Sequence, residues 1–218
     1  MANPISAVLF DLDGTLVDTA PDLLRALNTL RREYGFDELS LSAIRPQISL
    51  GSKPLIKQLL GIEENHPQFL HLRARFFDLY QHHIADATQF FPGIEEVLMH
   101  LETNHIPWGI VTNKLKRHTI ELLKILKIDH RPACVVCGDT LSTYKPHPEP
   151  ILHACELIKK MPANCLYVGD SATDVIASKA AGTQSLVALY GYIGNEDPLA
   201  WEADGYVRDP LEILTWLQ

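Results

Sequence analysis

Residues 7–16 read Ala-Val-Leu-Phe-Asp-Leu-Asp-Gly-Thr-Leu. The four apolar residues at 7–10 run without alternation and stop on a pair of carboxylates, Asp11 and Asp13. An unbroken apolar run suits a strand buried on both faces, the condition of a parallel sheet. The same design recurs downstream: 106–111 ends in Thr112 and Asn113, 165–168 ends in Gly169 and Asp170, and 185–189 ends near Gly191 and Gly194. Helix-period segments lie between these runs at 94–104, 116–127, 148–160 and 173–181, the last closed by Gly182. The alternation predicts an α/β fold built on an open, doubly wound parallel sheet.

From Asp18 to Phe90 the alternation breaks. Three helical patterns occur there, with no convincing strand. The first takes Thr19 as N-cap, carries Pro21 and Asp22 in its first turn and Leu23, Leu27, Leu30 and Tyr34 on one face, and stops at Gly35. The second covers 54–60 before Gly61, and the third covers 67–84 with Leu72, Phe76, Phe77 and Tyr80. The expected organisation is a small all-helical cap at 18–90 inserted after the first strand. Residues 1–17 and 91–218 then form the α/β core, and Phe91-Pro92-Gly93 marks the return to it.

The chain has 218 residues, 19 Lys plus Arg against 27 Asp plus Glu, and a net charge of −8. At 46% hydrophobic and 21% charged residues it has the composition of a globular chain able to bury a core without disulfides. An acidic balance with no Lys/Arg block argues against a general nucleic-acid binder or a binder of anionic membranes. The first residues lack a basic n-region and no apolar run spans a membrane, so a soluble, cytoplasmic monomer or homodimer is expected. Four cysteines are too few for a disulfide framework. Cys134 and Cys137 form a C-x-x-C, open to reading as a metal knuckle or redox pair, but the strand-like 133–136 run reads more simply as core thiols. Trp108, Trp201 and Trp216 read as core or interface residues, and Lys114, Lys116, Arg117 and His118 as a solvated helix face, with anion steering as the alternative.

In an open α/β sheet ligands bind beyond the carboxyl ends of the strands. Here those ends carry Asp11 and Asp13, then Thr112-Asn113-Lys114, then Lys145-Pro146, then Gly169-Asp170 with Asp174 four residues on. Alone, each has a plain reading: Asp-Gly-Thr is good turn chemistry, Asp170 can cap a helix, and Asp174 suits a first helical turn. Together they suit phosphoryl transfer through a covalent intermediate. Clustered carboxylates call for a hard cation with oxygen ligands, and Mg²⁺ fits that need. One carboxylate then serves as nucleophile and a second as acid and base, while Lys and Thr meet the phosphoryl oxygens.

The hexapeptide Asp11-Leu12-Asp13-Gly14-Thr15-Leu16, Val111-Thr112-Asn113, Lys145-Pro146 and Gly169-Asp170-x3-Asp174 resemble, in order, the four motifs of the haloacid dehalogenase superfamily. The helical insertion resembles that superfamily's small cap. The resemblance implies Asp11 as nucleophile and Asp13 as general acid/base. It implies Mg²⁺ on the Asp11 side chain, the Asp13 backbone carbonyl and the Asp170 carboxylate. Thr112 and Asn113 would hold the phosphoryl group, Lys145 would neutralise it together with Asp11, and Asp174 would orient the others or serve as an occasional metal ligand. A carboxylate at 13 favours a phosphomonoesterase over a dehalogenase or a phosphonate hydrolase.

Specificity is expected from the cap, where Gly51 permits close approach, Ser49 and Ser52 offer hydroxyls, and Lys53 could meet a second anion; Ser52 could equally be a helix cap. The pattern, with Asp18-Thr19-Ala20-Pro21-Asp22 and Lys145-Pro146-His147-Pro148, looks like the phosphoglycolate phosphatase branch, which implies a small phosphorylated metabolite such as 2-phosphoglycolate. Gly191-Tyr192-Ile193, Glu196-Asp197-Pro198 and Trp201 resemble instead N-acetylmuramic acid 6-phosphate phosphatases of cell-wall recycling. A sugar phosphomutase and a non-catalytic phosphate-binding module stand behind these two readings.

Overall fold

The structure is a computed structural model and describes residues 4–49 and 51–217. Strand β1 (Ala7–Phe10) leads through a short β2 (Val17–Asp18) into α1 (Ala20–Glu33), α2 (Leu41–Ile48), α3 (Ser52–Leu60) and α4 (Phe69–His82). Strand β3 (Gln89–Phe90) pairs antiparallel with β2 and brings the chain back. There follow α5 (Ile94–Thr103), β4 (Trp108–Val111), α6 (Lys116–Ile125), β5 (Cys134–Val136), α7 (Glu149–Leu157), β6 (Cys165–Gly169), α8 (Ala172–Ala181), β7 (Gln184–Ala188) and β8 (Gly205–Val207).

The main sheet is parallel throughout, in the order β5-β4-β1-β6-β7-β8. The chain builds outward from β1 through β4 to β5, then returns to lay β6, β7 and β8 on the other side. The order therefore reverses at β1, and the carboxyl ends of β1, β4 and β6 surround the crevice where such sheets bind ligands. The apolar run at 7–10 explains why β1 is central. Val8 and Phe10 enter one apolar cluster while Ala7 and Leu9 enter a second on the opposite face, all four fully buried. The first cluster does not stop at the sheet. It continues through Leu12 and Leu16 into Leu27, Leu30, Ile44 and Phe76 of the four inserted helices, called the cap below.

Four elements differ from the sequence expectation. Helix α2 contains Pro46, a residue that ordinarily ends a helix; burial of Ile44, with Leu41 and Ile48 packed beside it, outweighs the propensity over so short a helix. Strands β2 and β3 have two residues each, too few to show any period. Strand β8, three residues after a run of turns, gave no period either. The cysteines are free thiols, all buried, and burial pushes the Cys134 thiol up to about 12.

Asp22, in the first turn of α1, fixes the cap to the returning strand. It is fully buried, and its carboxylate accepts the Ala87 N–H (3.0 Å), the Thr88 N–H (2.9 Å) and the Thr88 hydroxyl (2.6 Å). Removing it strands the buried Thr88 amide and hydroxyl and the half-buried Ala87 amide. Asp22→Ala is expected to lower unfolding free energy by about 2–3 kcal/mol. Urea denaturation checks this, and a loss below about 0.5 kcal/mol, the size of an ordinary surface change, would contradict the assigned role.

Candidate active site

Asp11 leaves β1 with its N–H donated to Val168 O at 2.9 Å, so the last strand bond delivers the side chain to the crevice. Facing it is Lys145, on the connection between β5 and α7, whose side chain is 2% exposed. The Nζ lies 2.8 Å from Val111 O, 2.8 Å from Tyr167 Oη, 2.7 Å from Asp174 Oδ1 and 2.9 Å from Asp11 Oδ1. An ammonium has three protons. The carbonyl, the phenol and Asp174 take them, so Asp11 Oδ1 sits in ion-pair range but is left without a hydrogen bond. Burial pulls Lys145 down, but Asp11 and Asp174 more than offset it and its pKa ends above the ordinary lysine value.

Asp170, at the end of β6, is buried; its Oδ2 accepts the Tyr192 N–H at 2.7 Å and its Oδ1 has no partner among the described residues. Burial first, then repulsion by Asp11 and Asp174, holds its carboxyl well above the usual range. Asp11 is pushed up to about 6, again chiefly by burial, with Lys145 opposing and Asp174 and Asp13 adding. One oxygen from each of Asp11, Asp170 and Asp174 lies within 4.8 Å of the others. Asp174 is already committed. Its Oδ1 meets Lys145 and Tyr167, and its Oδ2 takes the Ser171 N–H (3.1 Å) and hydroxyl (2.6 Å) in the capping box that starts α8. The oxygens open to a cation are those of Asp11 and Asp170. A buried carboxylate oxygen with no donor, facing other carboxylates, fits a hard divalent cation. Gly14, at φ +85°, lets the loop close on this point, since a Cβ there would overlap Asp170 Oδ2.

The Asp13 side chain is not part of that acidic group. Its Oδ1 accepts the Thr19 hydroxyl at 2.5 Å and the Lys114 ammonium at 2.9 Å. Thr19 stands at the N-cap as expected, but its side chain serves Asp13 instead of the helix. Lys114 and His118 correct the solvated-face reading. The Lys114 side chain is only 8% exposed and its Nζ lies 4.6 Å over the Tyr80 ring, while His118 is buried against Phe77 and Tyr80; Lys116 and Arg117 remain exposed. Thr112 is buried, and its hydroxyl accepts the Lys114 N–H at 3.2 Å, which leaves its own proton to donate. The Asn113 amide bonds Lys145 on both sides, giving Nδ2–H to Lys145 O (2.8 Å) and accepting Lys145 N–H (3.0 Å). Its side chain thus positions the lysine loop where the sequence suggested phosphate.

Cap and strand ends enclose a cleft of about 600 Å³, lined by Asp11, Asp13, Thr112, Lys114 and Lys145 from the core and by Ser49, Gly51, Arg73, Phe76, Phe77 and Tyr80 from the cap. Ser49 is there as expected, with its hydroxyl donating to Tyr192 O at 3.2 Å. Lys53 is not. It is exposed and paired with Glu64 at 3.1 Å, because its place in the first turn of α3 turns it outward. The Ser52 side chain lies outside the described residues. Trp201 also lines the cleft, a role its sequence context did not signal. Lys114 could have been found from its adjacency to Thr112-Asn113. Tyr167 was hidden inside an apolar run, and Tyr192 carried no local signal for its contact with Asp170.

A family model described as haloacid dehalogenase-like hydrolase matches residues 8–188. The chain belongs to that family. Among relatives, a phosphoglycolate phosphatase of Xanthomonas campestris is 39% identical over 216 residues, 95% of this chain and 94% of that protein. An N-acetylmuramic acid 6-phosphate phosphatase of Pseudomonas aeruginosa is 36% identical over 211 residues, 96% of this chain and 93% of that protein. Among solved structures, one described as a predicted phosphoglycolate phosphatase from Haemophilus somnus superposes with a TM-score of 0.88 at 26% identity, covering all of both chains. This haloacid dehalogenase-like hydrolase is a phosphatase. No helix among its described residues is long and apolar enough to cross a membrane.

His118 gives the cleft wall a pH signature. Burial, reinforced by Lys114 and Arg117 and opposed by Asp13 and Asp139, pushes it down to about 4. Unfolded histidine titrates near pH 6.5, so between those values the unfolded chain holds a proton that the folded chain refuses, and stability falls as pH drops through the window. Relative to His118→Phe, the wild type should lose about 2 kcal/mol between pH 7 and pH 5. Denaturation of both proteins at the two pH values measures the difference, and a pH-independent one would show that the imidazole titrates normally.

Proposed function

We propose that this phosphatase is a Mg²⁺-dependent phosphomonoesterase working through an aspartyl-phosphate on Asp11, with a core of residues 1–17 and 91–218 and a cap of residues 18–90. The observation that carries the reading is the convergence of Asp11, Lys145 and Asp170 at the strand ends, with Asp13 held apart from them one turn along the same loop. The Asp11 carboxylate attacks phosphorus, and the ester oxygen departs with a proton supplied by Asp13. In the second half, Asp13 takes a proton from water, whose oxygen attacks the same phosphorus and returns Asp11 as carboxylate with release of phosphate. Lys145 and the Thr112 hydroxyl offset the charge that gathers on the phosphoryl oxygens. Asp11 and Asp170, with the Asp13 carbonyl, would hold Mg²⁺, which supplies charge neutralisation to carboxylates and phosphate alike. Lys114 and Thr19 fix Asp13 Oδ1, so the carboxyl group exchanges its proton from a defined position.

Relatives named for two esters support two substrates, and the resemblance puts 2-phosphoglycolate first. The cleft favours the second. Some 600 Å³ walled by Phe77 and Trp201, with Phe76 and Tyr80 behind them, is far more room than a glycolyl group can fill. A bulkier carboxylate-bearing ester of the N-acetylmuramic acid 6-phosphate kind fills it better. Retention of both Asp13 and Lys145 supports turnover over a purely binding role.

Phosphate release in the presence of Mg²⁺, measured on both esters side by side, should give the higher kcat/KM for the muramic ester; a higher value for 2-phosphoglycolate would reverse the order. On the better ester, Asp11→Asn should abolish turnover and Asp13→Asn should lower kcat by about 10²–10⁴-fold. Wild-type kcat in either variant would overturn the assignment. EDTA should remove the activity and added Mg²⁺ restore it, and turnover indifferent to chelator would sink the metal's part.

A further inference from the structure

Tyr192 lies on the loop after β7, distant in sequence from both the acidic centre and the cap, yet its polar atoms reach both. Its N–H donates to Asp170 Oδ2 at 2.7 Å, the only hydrogen bond that Asp170 receives from the described residues. Its hydroxyl donates to Asp18 Oδ1 at 2.7 Å and accepts the Ala20 N–H at 2.9 Å, where the chain crosses into α1. Its carbonyl accepts the Ser49 hydroxyl at 3.2 Å, and the Arg45 guanidinium, paired with Asp18, lies 5.6 Å over its ring. The ring is buried and packs on Phe91, the residue at which the chain leaves the cap. Gly191 makes the approach possible, since a Cβ there would overlap Gly14 O and press on Asp170 Cβ.

We propose that Tyr192 is a positioning residue that couples the seating of the cap to the cation affinity of Asp170. The inference rests on the reading of Asp170 as a metal ligand. The cap holds the ring through Asp18, Arg45, Ser49 and the first amide of α1. The ring fixes the backbone at 192, and that backbone N–H orients the Asp170 carboxylate with Oδ1 toward Asp11. A cap that shifts off Asp18 frees the tyrosine, and Asp170 loses the single donor that aims it. Linkage makes the effect mutual: whatever the seated cap adds to cation affinity, the bound cation adds to the seating of the cap.

Tyr192→Phe tests this with little risk to folding, because Ala20 N–H also lies 3.3 Å from Asp18 Oδ1 and Asp18 keeps Arg45. Mg²⁺ binding is measured by calorimetry, without substrate. Amide exchange at Ala20 and along α1 is followed with and without Mg²⁺. In the wild type Mg²⁺ should slow exchange at Ala20. In Tyr192→Phe the Mg²⁺ dissociation constant should rise by at least about fivefold and the Mg²⁺-dependent slowing should vanish. A purely structural role would speed exchange equally in both states and leave the Mg²⁺ increment intact. Arg45→Met, which loosens Asp18 from the cap side and removes the guanidinium over the ring while keeping the Tyr192 hydroxyl, should shift both readouts the same way. Unchanged Mg²⁺ affinity in both variants, or a retained increment, overturns the coupling alone. Failure of the wild type to bind Mg²⁺ overturns the metal reading and the coupling with it.

Discussion

Asp11, Asp170 and Asp174 each bring a carboxylate oxygen within 4.8 Å of the others around one ammonium, that of Lys145, and much of the molecule exists to hold that unbalanced group together. At an effective dielectric near 20, two like charges about 4 Å apart cost roughly 4 kcal/mol, so Asp11, Asp170 and Asp174 cannot all stay ionised on the strength of Lys145 alone. Burial first, and that repulsion after it, raises the pKa values of both Asp11 and Asp170. Lys145 remains charged because every proton it carries has a fixed acceptor, and Asn113 clamps its backbone from both sides. Asp174 stays in place because a helix start needs it as well. The site is rigid in its cation and in its orienting acid, and short of positive charge at the two acids that face each other.

A parallel sheet suits this task. Burial of β1 on both faces forces the polar residues to the strand tips, and the reversal of strand order gathers those tips at one crevice. The cap then walls the crevice with Phe76, Phe77 and Tyr80, which lowers the local dielectric and strengthens each charge–charge term inside it. Lys114 and His118 show the effect from opposite sides. Both are buried in the same wall; Lys114 keeps its proton because Asp13 pairs with it, and His118 sheds its own because burial, with Lys114 and Arg117 nearby, outweighs Asp13 and Asp139.

What could be read from the sequence followed from local rules. Asp11 and Asp170 were legible because each sits where an apolar run ends, and strand ends are where such sheets place their chemistry; Lys145, on the connection after β5, was legible from its Lys-Pro pair standing in order among the other motifs. The helices α1 and α4 were legible because their apolar period is long. The rest depended on contacts distant in sequence. Nothing near Asn113 says that its amide will be taken by the backbone at 145, and nothing near Lys53 says that the first turn of α3 points it toward Glu64. Lys114 looked like the start of a charged helix face because the partner that draws it inward, Asp13, is about a hundred residues away. Helix α2 was hidden by Pro46, whose cost is local while its compensation, the burial of Ile44, is tertiary.

The apolar cluster that passes from β1 through Leu12 and Leu16 into the cap has a consequence for how such a protein diversifies. The inner residues of the seated cap and one face of the sheet share one continuous apolar cluster, so each is shaped to the other. Exchanging the whole cap with that of a relative would break matched side-chain packing along the entire seam. New specificity is far easier to reach one residue at a time, at positions such as Arg73, Phe77 and Trp201, which face the cleft and lie outside the shared buried set. Selection can then retune the ligand while the fold's cohesion is left alone.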